Sequence, residues 1–137
     1  MDDFITHRKE FDRELEKALE RTLEAVGEFL QGEAGDELER SPTRVDTGRL
    51  RGSIDYRVDM DKDDTAVYVG TNVRYAVYVH EGTGIYHPNG RRTKWVYRDE
   101  KGQFHATRGM PPNRFLKNAI VRNKKQIEQY FKDNLKF

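Results

Sequence analysis

Apolar side chains recur at spacings of three, four and seven along the first forty residues, which is the pattern of an amphipathic helix. The pattern predicts one long helix over residues 3–39, bent near Gly27 or Gly32, where helix propensity is low. Pro42 is predicted to end this helix. The predicted stripe consists of Phe4, Phe11, Leu15, Ala18, Leu19, Thr22, Val26, Phe29 and Leu30.

The central part of the chain changes to a period of two. Residues 54–60 alternate between apolar and charged side chains, and residues 65–70 are β-branched and aromatic, so an acidic turn is expected to join two antiparallel strands. Residues 93–98 and 103–107 predict a second hairpin. Gly102 suits the left-handed backbone position that closes such a loop.

Residues 73–80, between the two hairpins, fit both a helix and a strand. A short helix is favoured because Arg74 and Tyr78 would then share an outer side. Gly82 would supply the C-terminal stop of this helix. The Gly-Thr-Gly sequence that follows Glu81 predicts a sharp change of chain direction.

A second long helix is predicted over residues 114–135, after the stiff sequence Gly-Met-Pro-Pro, with Asn113 as its N-cap. Its side chains off the apolar stripe are mostly basic. Residues 1–40 hold thirteen acidic and six basic side chains, a net charge of −7, whereas residues 108–137 hold eight basic and two acidic, a net charge of +6. The first and last helices are therefore predicted to pack together, within one subunit or between two.

A short capped helix is predicted after the first long one. Asp46 or Thr47 can accept hydrogen bonds from its first amides, which favours a structural cap over a catalytic acid. Leu50 would anchor this turn, and Arg49 and Arg51 would point outward.

Five short motifs occur in a fixed order between residues 45 and 116, about half of the chain's length. They are Val45-Asp46-Thr47-Gly48-Arg49-Leu50, Val69-Gly70-Thr71-Asn72, Tyr75-Ala76, Glu81-Gly82-Thr83-Gly84 and Gly109-Met110-Pro111-Pro112-Asn113-Arg114-Phe115-Leu116. Together they resemble the tail-component family of long-tailed double-stranded DNA phages, the tail-completion or head–tail joining proteins of the neck.

The resemblance implies a non-enzymatic virion or prophage protein that completes the tail at its head-proximal end. It also implies self-association into a ring, with a hexamer expected, and contact with tail tube or terminator proteins and the head connector. Such a protein would reside in the virion neck, and in the host cytoplasm during assembly. The matched residues that would serve as caps, turns and packing positions are Asp46, Thr47, Gly48, Gly82, Gly84, Pro111, Phe115 and Leu116.

Composition limits the alternatives. The 137 residues predict a single domain, residues 1–137, of α+β class: a long N-terminal helix, a small antiparallel sheet of about four strands with a short inserted helix, and a long C-terminal helix. Hydrophobic residues make up 35% and charged residues 36% of the chain, so its elements are expected to depend partly on neighbouring copies for burial. The chain has no cysteine, no apolar run of membrane-spanning length and an acidic N-terminus, so a soluble intracellular protein without disulfides is expected.

No catalytic or metal-binding pattern is complete. His80-Glu81 begins a zinc protease motif, but Gly84 stands where the second histidine is required, and His87 has the wrong spacing. No serine lies in a nucleophile elbow. We therefore expect no enzyme activity, no metal and no cofactor.

The basic run Arg91, Arg92, Lys94 and Trp95 lies outside the matched motifs and has three interpretations. It could grip nucleic-acid phosphates while Trp95 stacks on a base, which would make the protein a nucleic-acid-binding module together with the basic last helix. It could be a charged hairpin stem with a core tryptophan. It could also meet an acidic surface of a neighbouring subunit, or line a channel through which DNA passes without sequence readout.

Overall fold

A computed structural model describes residues 2–40, 47–61, 63–99 and 101–136, without the side chains of residues 2–6 and Thr47. The predicted α+β class is confirmed. The helices are α1 (Asp2–Arg40), α2 (Thr47–Ser53), α3 (Ala76–Glu81), α4 (Phe115–Arg122) and α5 (Lys124–Asn134). The strands are β1 (Asp55–Asp59), β2 (Ala66–Gly70), β3 (Trp95–Arg98) and β4 (Phe104–Thr107), and a 3₁₀ turn occupies Gly84–Tyr86.

Helix α1 is the central element of the fold, and its 39 residues span about 58 Å. The predicted single long helix is confirmed and is continuous to Arg40, whereas the bend near Gly27 or Gly32 stays a prediction. Gly27 leaves room for the ring of Tyr56 on β1, which a Cβ at this position would overlap. The sequence shows a weak helix former, and only the packed structure shows what it makes room for.

Only part of the predicted stripe on α1 is covered. Ala18, Thr22, Val26 and Leu30 are buried, whereas Phe11 and Leu15 remain 49% and 38% exposed. Leu19 and Phe29 are partly buried, and Phe4 lies outside the described side chains. The elements that pack on α1 are α2, α4, α5 and the β1–β2 sheet. Among the described residues, 7–17 are all exposed, so the N-terminal part of α1 projects beyond the core.

The predicted single sheet of about four strands is two separate antiparallel hairpins. In the first, Tyr56 pairs with Val69 and Val58 with Val67. These pairs form one apolar face that packs on α1. In the second, Trp95 pairs with Thr107 and Val96 with Ala106, so apolar side chains lie on both faces. A hairpin without one clearly apolar face has no single side to bury, and this one does not join the first sheet.

The predicted long C-terminal helix is divided at Asn123 into α4 and α5. The side-chain amide of Asn123 donates to the carbonyl of Ala119 at 2.7 Å, a local bond of the kind that competes with regular helix geometry. Both helices pack on α1 within one chain, as the opposite charges predict. Glu37 lies 3.4 Å from Arg122, and the rings of Phe29 and Tyr130 are 5.5 Å apart.

The buried core lies where α1, α2, α3 and α4 meet. Polar chains of this size bury little apolar surface, and only small and medium side chains with one phenylalanine fill this core. Its members are Val26, Leu30, Ala34, Leu38, Leu50, Ile54, Ala76, Val79, Phe115 and Ala119.

Candidate functional site

The Glu-Gly-Thr-Gly and Gly-Met-Pro-Pro motifs lie against each other, although 25 residues or more separate them in sequence. The amide of Thr83 donates to the carbonyl of Met110 at 2.9 Å, and the amide of Met110 donates to the hydroxyl of Thr83 at 2.9 Å. The amide of Ile85 donates to the carbonyl of Arg108 at 3.0 Å. These bonds form the base from which the second hairpin leaves the body of the protein.

Glycine is required at this crossing for two reasons. Gly82 has φ +81° and ends α3, with its amide donating to the carbonyl of Tyr78 at 2.9 Å, which confirms the predicted stop. Gly84 has φ +61°, and a Cβ there would overlap the backbone of Arg108. Both motif glycines therefore have a packing role.

The Phe-Leu pair of the last motif anchors the C-terminal helices. Phe115 is fully buried, and its ring meets His80 edge to face at 5.6 Å. Leu116 lines a cleft on the same side of α3, and Pro111 is exposed in the approach to α4. The predicted cap role of Asn113 is wrong: α4 begins after Arg114 without a side-chain cap.

Asn113 instead holds three elements together. Its side-chain amide donates to the carbonyl of Leu38 at 3.1 Å, and its backbone amide donates to the carbonyl of Val79 at 2.8 Å. Asn113 is only 5% exposed. The carbonyl of Leu38 is one of the last four in α1, which have no partner within the helix. The local sequence carries no signal for this contact, because the partners lie 34 and 75 residues away.

The Val-Asp-Thr-Gly-Arg-Leu motif is described only in part. Asp46 lies outside the described residues, so its cap role stays a prediction; Thr47 and Gly48 begin α2, and Leu50 is buried. Arg51 stays partly exposed at the surface and pairs there with α1. Its guanidinium lies 2.9 Å from Asp36 and 2.6 Å from Glu39, and the hydrogen bonds to these two carboxylates raise its pKa.

Helix α3 carries an exposed ridge between two clefts. Val77 and Glu81 line both clefts, whose volumes are about 280 and 290 Å³. Tyr78 lines the first cleft beside them. Val77 is 64% and Tyr78 62% exposed. The ring of His80 donates to Glu81 at 2.9 Å, and this bond lowers the pKa of the Glu81 carboxyl group, which keeps it anionic.

The four residues of the basic run have different environments. The guanidinium of Arg91 lies 5.9 Å above the ring of Trp95, which is half-buried. Arg92 donates to the carbonyls of Ile85 at 2.8 Å and Pro88 at 3.0 Å, so it also fastens its own loop. Arg91 also donates to the hydroxyl of Thr93 at 2.9 Å, and Arg91, Arg92 and Lys94 are all exposed.

The second hairpin is closed by Asp99. Its carboxylate accepts hydrogen bonds from the amides of Lys101 and Gln103 at 2.9 and 2.8 Å, and from the ring of His105 at 2.6 Å. The bond from His105 and the two amides lower the pKa of Asp99. Gly102 has φ +81°, which confirms its predicted left-handed position. These bonds fasten the described residues Lys101 to Gln103 back onto Asp99.

The described part of the chain contains no group of three or more histidine, aspartate or glutamate side chains arranged to hold a metal ion. Within those same residues, no helix is both long enough and apolar enough to span a membrane. The described surface thus presents the packed motifs, the two clefts beside α3 and the basic β3–β4 hairpin.

The fold is that of a small α+β protein, and comparison with known families identifies its kind. Residues 2–82 match the family described as "Bacteriophage HK97-gp10, putative tail-component". The match covers more than half of the chain, from α1 to the glycine that ends α3, and the chain belongs to this family. Membership indicates a structural role in the phage tail and a place in the virion. Neither the curated proteins nor the solved structures include a match.

Proposed function

We propose that this protein completes the phage tail at its head-proximal end and joins it to the head connector, as a non-enzymatic ring-forming subunit. A hexamer would match a six-fold tail tube. Its partners would be tail tube or terminator proteins on one side and the connector on the other. The neck of the virion would be its final location, and the host cytoplasm its place of assembly.

The observation that carries the proposal is the use of the motif residues. Gly82 and Gly84 allow a close backbone crossing, Leu50 and Phe115 fill the core, and Thr83 bonds across the crossing. These residues all serve the packing of the chain, which supports a structural rather than a catalytic use of the motifs. Tail-family membership supplies the assembly in which such a protein acts.

Electron microscopy of particles made without this gene tests the proposal. Filled heads and complete tails that fail to join are the expected result, because each would assemble on its own pathway. Restoring the gene in trans should restore joined particles. Normal infectious particles without the gene would reject the proposal, and tails of abnormal length would assign the protein to tail-tube assembly instead.

A nucleic-acid-binding module is the second candidate, and the cation–π contact between Arg91 and Trp95 is the observation that favours it. Binding through phosphates predicts an affinity for DNA that falls steeply with salt. Arg91→Ala and Lys94→Ala should each lower the salt slope by about one. Arg92→Ala should also disturb the loop that Arg92 fastens. Absence of DNA binding at low salt would remove this candidate.

A further inference from the structure

Four apolar side chains are more exposed than any other large hydrophobic residue in the described part of the chain, and they form two patches. Val96 and Phe104, 64% and 73% exposed, lie on one face of the β3–β4 hairpin. Val77 and Tyr78, 64% and 62% exposed, lie on α3. Exposed apolar groups that cluster in this way commonly mark an interaction site.

The hairpin patch is an unpartnered sheet face. Arg98 lies over the ring of Phe104 at 5.7 Å and donates to the carbonyl of Gly102 at 3.2 Å, so a cation borders the apolar surface. A two-stranded hairpin alone is marginally stable in water. The β3–β4 hairpin is therefore expected to gain stability from a partner that covers Val96 and Phe104.

The α3 patch offers complementary chemistry. Val77 separates the two clefts, of about 280 and 290 Å³, and Tyr78 borders the first. Glu81 lies on the same ridge, is kept anionic by its bond from His80, and is accessible at 47% side-chain exposure. The exposed apolar face of the β3–β4 hairpin carries Arg98, and the apolar ridge of α3 carries Glu81, so the two surfaces are complementary.

The β3–β4 hairpin and its flanking residues differ in net charge from the rest of the chain. Residues 91–108 contain six basic and two acidic side chains, a net charge of +4. The whole chain has a net charge of +1, so the remainder has +1 − 4 = −3. Most of the negative charge of the remainder lies on residues 1–40, so the anion that α3 itself offers to a positive hairpin is Glu81.

We infer that the β3–β4 hairpin of one subunit docks on α3 of a second copy, with Phe104 and Val96 against Val77 and Tyr78, and Arg98 paired with Glu81. The inference rests on the proposed self-association and supplies its contact. Because the two patches differ, a repeated contact of this kind is heterologous and closes into a ring when the rotation between subunits permits.

Cysteine cross-linking tests the contact cleanly, because the chain has no cysteine of its own. Phe104→Cys and a size-tagged Val77→Cys variant of the full chain are mixed and oxidised. The expected product is the mixed dimer, formed several-fold faster than the mixed dimer of Phe104→Cys with Ile120→Cys. Ile120 is a fair control, since it is 45% exposed on α4 and lies outside both clefts. Equal rates would overturn the inference.

A charge reversal tests the ion pair. Arg98→Glu and Glu81→Arg should each weaken self-association in sedimentation on the order of tenfold, and the double variant should restore most of it. Restoration separates a contact between subunits from damage to the hairpin itself, which a second change on α3 would not repair. A double variant as weak as the single ones would contradict the pairing.

Phe104→Ser separates this inference from the proposed function. The side chain is 73% exposed, so the variant should fold normally yet self-associate at least tenfold more weakly. If removal of the gene separates heads from tails but Phe104→Ser joins them normally and sediments unchanged, the function stands and the docking contact is wrong. Unchanged sedimentation together with loss of DNA binding would assign the hairpin to nucleic acid and likewise overturn the inference.

Discussion

Two glycines of the same helix should respond in opposite directions to the same substitution. Gly27 and Gly32 both lie inside α1, where glycine costs about 1 kcal/mol relative to alanine. Helix propensity alone predicts that Gly27→Ala and Gly32→Ala each stabilise the protein. The structure predicts this only for Gly32, where a Cβ would meet nothing within 4 Å.

At Gly27 the added methyl group would overlap the ring of Tyr56. Overpacking of this kind costs about 1–3 kcal/mol. Displacing the ring also moves the Tyr56 hydroxyl away from Glu24, which chiefly raises the pKa of Tyr56. With an overpacking cost near the upper end of that range and a propensity gain of about 1 kcal/mol, we expect Gly27→Ala to lower the free energy of unfolding by about 2 kcal/mol.

Urea denaturation at one low protein concentration measures both effects. With a slope of about 2 kcal/mol per molar urea, the midpoint should fall by about 1 M for Gly27→Ala and rise by about 0.5 M for Gly32→Ala. In a Tyr56→Ala background the penalty at Gly27 should disappear, because the two residues are in direct contact. A stabilising Gly27→Ala in the wild-type background would refute the packing of Tyr56 on α1.

Three further outcomes follow from single contacts. Asn113→Ala should lower the free energy of unfolding by about 1–3 kcal/mol, because it leaves the carbonyl of Leu38 buried without its donor; Asn89→Ala, on an exposed loop, is the control in the same denaturation assay. Gly84→Ala should reduce the yield of folded protein, seen by circular dichroism, since φ +61° and the backbone of Arg108 both exclude a side chain. The depressed pKa of Asp99 stabilises the hairpin at pH values above the ordinary aspartate pKa of 3.8, and this stabilisation is lost as the pH falls through the lower folded-state pKa. Amide exchange at Gln103, measured relative to its intrinsic rate at each pH, should therefore accelerate there. Asp99→Asn should abolish that pH dependence.

The local pattern of the sequence determined the kinds of element and most of their positions. Alternation predicted residues 54–60 and 65–70 as strands, and the structure has β1 and β2 within those bounds. Glycine chemistry predicted the stop at Gly82 and the turn at Gly102. These features depend on residues a few positions apart, which is the range over which periodicity and backbone preference act.

Charge and apolar stripes also predicted that the first and last helices pack together, because both properties are sums over a whole helix. They did not predict where the pairing is fastened. Asn113 was predicted as a helix cap and instead bonds to Leu38. Arg51 was predicted as a surface cation, and no sequence pattern indicated that it pairs with Asp36 and Glu39. Such partners depend on how the chain folds. The residues next to a position in the sequence carry no information about which distant residues will meet it.

The sequence by itself therefore determined a polar α+β tail component with two long helical regions, two hairpins and glycines at its turns. Tertiary structure alone decided that the hairpins remain separate sheets, that Gly27 accommodates Tyr56, and that Val96 and Phe104 stay uncovered. The physical reason is that propensity and periodicity are local, whereas burial depends on which distant surface arrives opposite a side chain.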